Sequence, residues 1–252
     1  MNTLQKITWR SFPSKVYSGF WLILDWLFPP TCFNCGVEGY RLCPQCQTMF
    51  EVSNSNICSI CGRRVRSKGV CYQCRISRPN FDQLRSLYDY KGAVRGAIHR
   101  LKYDNDMGLA EIMADQLIEF YRAQRWQVDM IIPVPLFENK QIERGYNQSA
   151  LLAIPMSLKL GIKYRSNAII RIKNTKSQVG LSEAERWKNM SDAFMANPHG
   201  VNNKTILIID DVTTTGATMN SVALAARKAG AKAIYCLTFA RTFRGFDKTT
   251  QT

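Results

Sequence analysis

The sequence predicts an α/β domain whose parallel sheet is flanked by helices, preceded by a compact cysteine-rich metal-binding module. Three observations carry that expectation. Eight of the nine cysteines fall in four C-x2-C pairs inside 43 residues. Short aliphatic runs recur in the second half of the chain, as buried strands require. Between the last two runs lies a stretch of helix-forming residues, giving the strand–loop–helix–strand order of a βαβ unit.

Hydrophobic residues make up 46% of the 252-residue chain and aromatics 11%, which excludes a disordered polymer and allows a sizeable core. The charge is less ordinary: 34 Lys and Arg face 19 Asp and Glu, a formal +15. Residues 1–80 carry 10 basic and 3 acidic side chains, and residues 81–252 carry 24 and 16, so no single tail holds the excess. A surplus of this size fits a polyanionic partner, with general solubility as the plainer reading.

Residues 1–28 are expected to form an amphipathic segment. The run "VYSGFWLILDWLFPP" is interrupted by Asp25 and falls short of the roughly 20 apolar residues that span a bilayer. No small-residue cleavage site follows it, so the expected compartment is the cytoplasm. Lys6, Arg10 and Lys15 ahead of the aromatic patch offer a second reading, contact with a membrane surface.

Residues 29–80 form the expected double zinc-binding module of zinc-ribbon type. The spacing is C-x2-C, x7, C-x2-C, x11, C-x2-C, x9, C-x2-C, and two thiolates two residues apart suit one tetrahedral ion. The sequential partition puts Cys32, Cys35, Cys43 and Cys46 on one ion and Cys58, Cys61, Cys71 and Cys74 on a second. An interleaved cross-brace is open on spacing alone. Glycine follows the first and third pairs, where a tight turn points amides at thiolates. Such closed sites hold a fold and do no chemistry. Arg63, Arg64, Arg66 and Lys68 crowd the loop between the third and fourth pairs, as a phosphate grip or as a solvated tip. The ninth cysteine, Cys236, sits in "AIYCLTFA" and reads as a buried core thiol.

Residues 81–252 read as the α/β domain. Strands are expected at "MIIPVP" (130–135), "KTILIIDD" (204–211) and "AIYCLTFA" (233–240), and helices at 106–124 and 216–230. In such sheets ligands bind beyond the carboxyl ends of the strands, which is where Asp210 and Asp211 fall. The loop that follows runs into a helix N-terminus, whose free amides and dipole favour a phosphate. The adjacent carboxylates suit a vicinal diol or a divalent ion.

Aliphatic strand, Asp-Asp-Val, then T-T-G-x-T resembles the phosphoribosyl-pyrophosphate (PRPP) signature of type I phosphoribosyltransferases. The blocks "IIPVPLFENKQIERGYNQSALLA", "TKSQVGLSEAERWKNMSDAF", "YKGAVRGAIHRLKY" and "LFPPTCFNCG" further resemble the ComF/ComFC competence proteins, relatives of GntX. The resemblance runs from about residue 20 to 242. It implies a type I phosphoribosyltransferase-like domain in which Asp210 and Asp211 hold the ribose hydroxyls. Thr213, Thr214, Thr215, Gly216, Ala217 and Thr218 would cradle the 5-phosphate, with Pro135 and Leu136 at the ligand and Mg2+ accompanying PRPP. Lys140 and Arg144 would face pyrophosphate, and Arg186, with Arg171, Lys173 and Lys176, would belong to a closing loop. Phe137-Glu138-Asn139 stands where relatives carry a polar or basic run, which is expected to weaken turnover more than binding. The implied role is natural transformation: handling incoming single-stranded DNA in the cytoplasm, beside a competence helicase or recombination proteins. The alternative is an active phosphoribosyltransferase acting on a nucleotide- or DNA-derived acceptor.

Two further groups bear on DNA. Residues 159–176 contain Lys159, Lys163, Arg165, Arg171, Lys173 and Lys176 without an acid, and Trp126, Phe137, Tyr146 and Trp187 lie near basic residues. Basic grooves with aromatic platforms suit single strands, although each aromatic alone reads equally well as core. His99 reads as a residue of the fold.

Overall fold

The computed structural model describes residues 29–52, 56–104, 106–137, 142, 144–172 and 193–243. The expected N-terminal segment, Lys140, Lys173, Lys176, Arg186 and Trp187 lie outside them. In chain order the elements are α1 (Pro44–Gln47), α2 (Tyr72–Ile76), β1 (Gln83–Asp89), α3 (Gly92–Tyr103), α4 (Leu109–Gln124), β2 (Met130–Pro133), α5 (Gln148–Leu160), β3 (Lys163–Tyr164), β4 (Ile169–Arg171), β5 (Phe194–Ala196), α6 (Pro198–Val201), β6 (Thr205–Thr213), α7 (Ala217–Lys228) and β7 (Ala233–Arg241). No helix among the described residues is long and apolar enough to cross a membrane.

Five strands form a parallel sheet in the order β1-β7-β6-β2-β3, while β4 and β5 make a separate antiparallel pair. The aliphatic runs of β6 and β7 place them at the centre, because a parallel strand covered on both faces needs apolar side chains at successive positions. Alternation then sorts them. Leu207, Ile209, Leu237 and Phe239 face one layer, with α3, α4 and α5. Ile206, Ile208, Ile234 and Cys236 face the other, with α7. Cys236 is fully buried, as its apolar run implied.

The helices end where local chemistry stops them. Asn147 caps α5, its side chain accepting from the Ser149 and Ala150 amides at 2.9 and 3.3 Å, and Gly161 closes it in the left-handed conformation. Arg227 in the last turn of α7 donates to the Ala231 and Lys232 carbonyls. It also donates to the Asn80 carbonyl, tying the helix to the chain that enters β1.

The two halves of the cysteine module pack on opposite faces of the sheet. Cys32, Leu42, Cys43, Cys46 and Phe50 join the layer of α3 and α4, where Phe50 meets Tyr88 and Phe239 edge to face at 5.1 and 6.2 Å. Cys58, Ile60, Cys61, Cys71 and Cys74 join the layer of α7. Glu51 and Val52 at the end of the first half, and Ile60 in the second, lie beside the outer edge of β1. The Leu84 amide donates to Ile60 at 2.8 Å, the Asp89 amide to Glu51 at 3.1 Å, and Val52 bridges Tyr88.

Candidate functional site

Strand β6 continues to Thr213, so Asp210 and Asp211 lie within its last turns of pleat and not beyond it. Successive strand residues point to opposite faces, and the two carboxylates accordingly find different partners. Asp210 accepts a 2.7 Å hydrogen bond from the Ser149 hydroxyl at the start of α5. Asp211 forms a 2.6 Å ion pair with Lys102 at the end of α3. Both acids are buried. Burial first, and then the charge of Asp211, push the Asp210 carboxyl up to about 7 against the pull of Ser149 and Lys102. Burial opposes the Lys102 charge, yet the neighbouring carboxylates hold its ammonium above the usual lysine range. The site therefore presents two carboxylates and one contacting ammonium, and it favours a further cation or hydroxyl donors at Asp210. A Mg2+ ion carried by a phosphorylated sugar suits that donor set.

Beyond Thr213 the loop turns through Thr214, Thr215 and Gly216 into α7. Gly216 has a φ of 89°, a left-handed conformation that places the first helical amides at the loop. Thr215 Oγ1 accepts from the Ala217 amide at 3.2 Å. Thr214 is exposed, Thr215 and Thr218 are half-buried, and Gly216 and Ala217 are buried. Thr213, expected in the cradle, is instead a buried strand residue whose carbonyl accepts from the Thr242 amide.

Behind this loop stands Arg241, the last residue of β7, only 1% exposed. One of its guanidinium nitrogens donates to the Cys61 carbonyl. The other, Nη2, has no hydrogen-bond partner among the described residues, and it would lie 3.9 Å from a Cβ placed on Gly216. Burial lowers its pKa to about 10, so it keeps its charge. A buried, half-satisfied guanidinium behind a helix N-terminus is an electrostatic fit for a phosphate. Arg63 reaches the same loop from the cysteine module, donating to the Thr215 carbonyl at 3.2 Å.

A 450 Å3 cleft, whose lining includes neither acid, is bounded by Pro135, Leu136, Tyr146, Asn147, Tyr164 and Arg171 among others. Pro135 and Leu136, expected at the ligand, line this cleft. Arg171, on β4, is near enough for Asp210 to support its charge against burial. Arg144 is directed elsewhere: it donates to Gln148 Oε1 at 3.2 Å and sits 5.2 Å from the Tyr103 ring centroid.

Several cations and aromatics proposed for DNA have internal roles. Lys159 pairs with Glu111 and Asp115 at 2.5 and 2.6 Å. Trp126 stacks on Tyr235 at 4.7 Å, only 8% exposed, and is core. Tyr146 lines the cleft but its hydroxyl donates to the Leu101 carbonyl at 2.6 Å. His99 is an exposed residue of α3, 3.9 Å from Asp104.

The eight thiols fall into two sequential groups, Cys32/Cys35/Cys43/Cys46 and Cys58/Cys61/Cys71/Cys74, with the sulfurs of each group within 4.8 Å of one another. Amides point at sulfur, as thiolates require: Cys43 N donates to Cys32 Sγ at 3.4 Å and Cys71 N to Cys58 Sγ at 3.3 Å. Gly36 and Gly62 take φ values of 78° and 69° after their pairs. Each donor set suits a structural Zn2+.

Comparison with known proteins agrees with both halves. A model of the double zinc ribbon domain matches residues 23–75, and one of the phosphoribosyl transferase domain matches residues 142–249. The fold and the site thus define a phosphoribosyltransferase-type domain carrying a double zinc ribbon. The DNA utilization protein YhgH of Escherichia coli K12 is 30% identical over 80% of this chain and 97% of its own length. Competence protein F of Haemophilus influenzae is 28% identical over 79% and 96%, and competence protein ComFC of Bacillus subtilis 27% over 73% and 76%. The chain belongs to this ComF/YhgH family of competence and DNA-utilisation proteins.

Proposed function

We propose that the protein handles incoming single-stranded DNA in the cytoplasm and binds PRPP with Mg2+ at the carboxyl end of β6. The observation that carries the ligand reading is the adjacent pair Asp210–Asp211, of which only Asp211 contacts a lysine, set before a loop backed by Arg241. Asp210 and Asp211 would accept from the ribose hydroxyls or share the cation, and the amides after Gly216 would hold the 5-phosphate. Ser149 and Lys102 position the two carboxylates. The names of the relatives support the DNA role. So does the basic surplus of the chain.

A second reading, phosphoribosyl transfer to an acceptor, is favoured by the cleft walled by Arg171, whose charge Asp210 supports. Arg171 and the Asp pair would then stabilise charge developing on the ribose and its leaving group.

The experiment titrates an oligo(dT) strand and PRPP·Mg2+ against wild type and Asp210→Ala/Asp211→Ala. Salt-dependent DNA affinity in wild type, with PRPP affinity lost in the double variant, is the expected result. Absence of DNA affinity defeats the handling role, and aspartate-dependent PRPP consumption establishes the transferase. Thermal unfolding of Asp210→Asn adds a pH test. Native Asp210 keeps its proton to about 7, whereas the unfolded chain releases it near ~3.9. The native state binds more protons across that window, so wild-type stability falls as pH rises through it. The variant should gain Tm over wild type at neutral pH and lose the gain by about pH 4.

A further inference from the structure

The four cations crowded into the second ribbon have different fates. Arg63 turns inward to Thr215, and Arg64 pairs with Asp89 and lies 4.3 Å over the Phe243 ring centroid. Arg66 and Lys68 are exposed, and neither forms an ion pair among the described residues. They line a cleft of about 290 Å3 together with Tyr72 and Arg75. Tyr72 is 46% exposed although it opens a helix whose Cys74 is buried. Arg75 is exposed too, anchored by its Nε to the Val70 carbonyl at 3.1 Å. The loop itself is built: Asn56 Nδ2 donates to the Arg66 carbonyl at 3.2 Å and the Ser59 amide to Gly69 at 2.9 Å.

The charge around this cleft is one-sided. Residues 52–81 contain six Arg and Lys and no Asp or Glu. The four thiols that would balance some of this charge are buried, from 0% to 6% exposed, so the surface presents the cations. A cationic cleft with one accessible aromatic face has the two elements that recognise an unpaired strand: attraction for the backbone and a platform for a base. A duplex offers the phosphates but not a free base face.

We infer that this outer cleft of the second zinc ribbon docks single-stranded nucleic acid, with Tyr72 stacking on a base and Arg66, Lys68 and Arg75 holding flanking phosphates. The inference rests on the DNA-handling reading above and adds to it a surface separate from the PRPP site.

The test uses the full chain and a fluorescent oligo(dT) strand titrated across a salt series, with zinc content measured for each variant. Tyr72→Ala should weaken binding by about fivefold to tenfold, and Tyr72→Phe should restore it, since stacking needs the ring and not the hydroxyl. Arg66→Ala/Lys68→Ala should lower the slope of log K against log salt by about 1.4, about 0.7 for each phosphate released. If wild type does not bind the strand, the DNA-handling role fails and the cleft assignment with it. If wild type binds and all three variants keep its affinity and slope, the cleft assignment alone is overturned. It is overturned as well if Tyr72→Ala is silent while the charge variant loses oligo(dT), duplex DNA and phosphatidylserine vesicles equally.

Discussion

The two zinc ribbons share one plan, C-x2-C-G followed by C-x2-C, yet the molecule uses them differently. The first spans residues 29–51 with one basic and two acidic side chains, and the second spans residues 52–81 with six basic and none acidic. The first leans on the helices of one layer: Arg41 pairs with Asp106 at 3.0 Å, and the Phe33 ring would lie 3.3 Å from a Cβ on Gly96. The second backs onto the loop between β6 and α7, where Cys61 receives Arg241 and Arg63 holds Thr215. Identical metal chemistry therefore supports a brace in one case and a backing for the β6–α7 loop in the other. What differs is not the cysteines but the residues between them.

The largest expected contrast is between the two glycines. Gly36 and Gly62 both have positive φ, so alanine costs about 1–2 kcal/mol at either. At Gly36 the added methyl meets open space, whereas at Gly62 it would come 2.6 Å from the Leu84 carbonyl oxygen. Gly62→Ala should therefore lose a further ~1–3 kcal/mol. Chemical denaturation of the zinc-loaded variants measures it, and equal losses would break the contrast. Next come the residues that follow these glycines. Arg63→Ala should weaken PRPP affinity about fivefold by calorimetry, the scale of one net hydrogen bond, because it acts through the Thr215 carbonyl. Val37, 47% exposed at the matching position, should tolerate alanine without change. The smallest effect concerns metal release. Cys35 is exposed, while all four thiols of the second ribbon are buried. A chelator should take zinc in two phases, the first from the Cys35 site, and Cys35→Ser should abolish that phase.

How much of this was legible follows from where the information lies. Strands β6 and β7 and helix α7 could be read because their aliphatic runs and alanines are contiguous. Strand β1 could not, since "QLRSLYD" mixes polar and apolar positions and its burial does not alternate. The Asp-Asp pair and the loop after it announce themselves, but their supports do not. Lys102 meets Asp211 across 109 residues of chain, and Ser149 meets Asp210 across 61. Nothing in "IHRLKY" distinguishes Lys102 from Arg100. The same limit holds for "GRRVRSK": sequence shows four cations within six residues, and only the fold sends two inward and leaves two outside. Arg241 lay just past the strand expected at 233–240, and its burial depends on the second ribbon closing over it. Residues whose role is fixed by a distant partner carry no local signature.

The chain between the ribbons has a consequence for how this protein behaves without metal. Strand β1 borders the sheet, and an open border of unpaired amides is a template for other strands. Here its outer hydrogen bonds go to Ile60 and Glu51, residues placed by the ribbons on either side. Zinc supply thus governs more than the shape of a small module. It bears on whether the β1 border of the sheet stays covered, and loss of zinc is expected to expose that border to pairing with other chains.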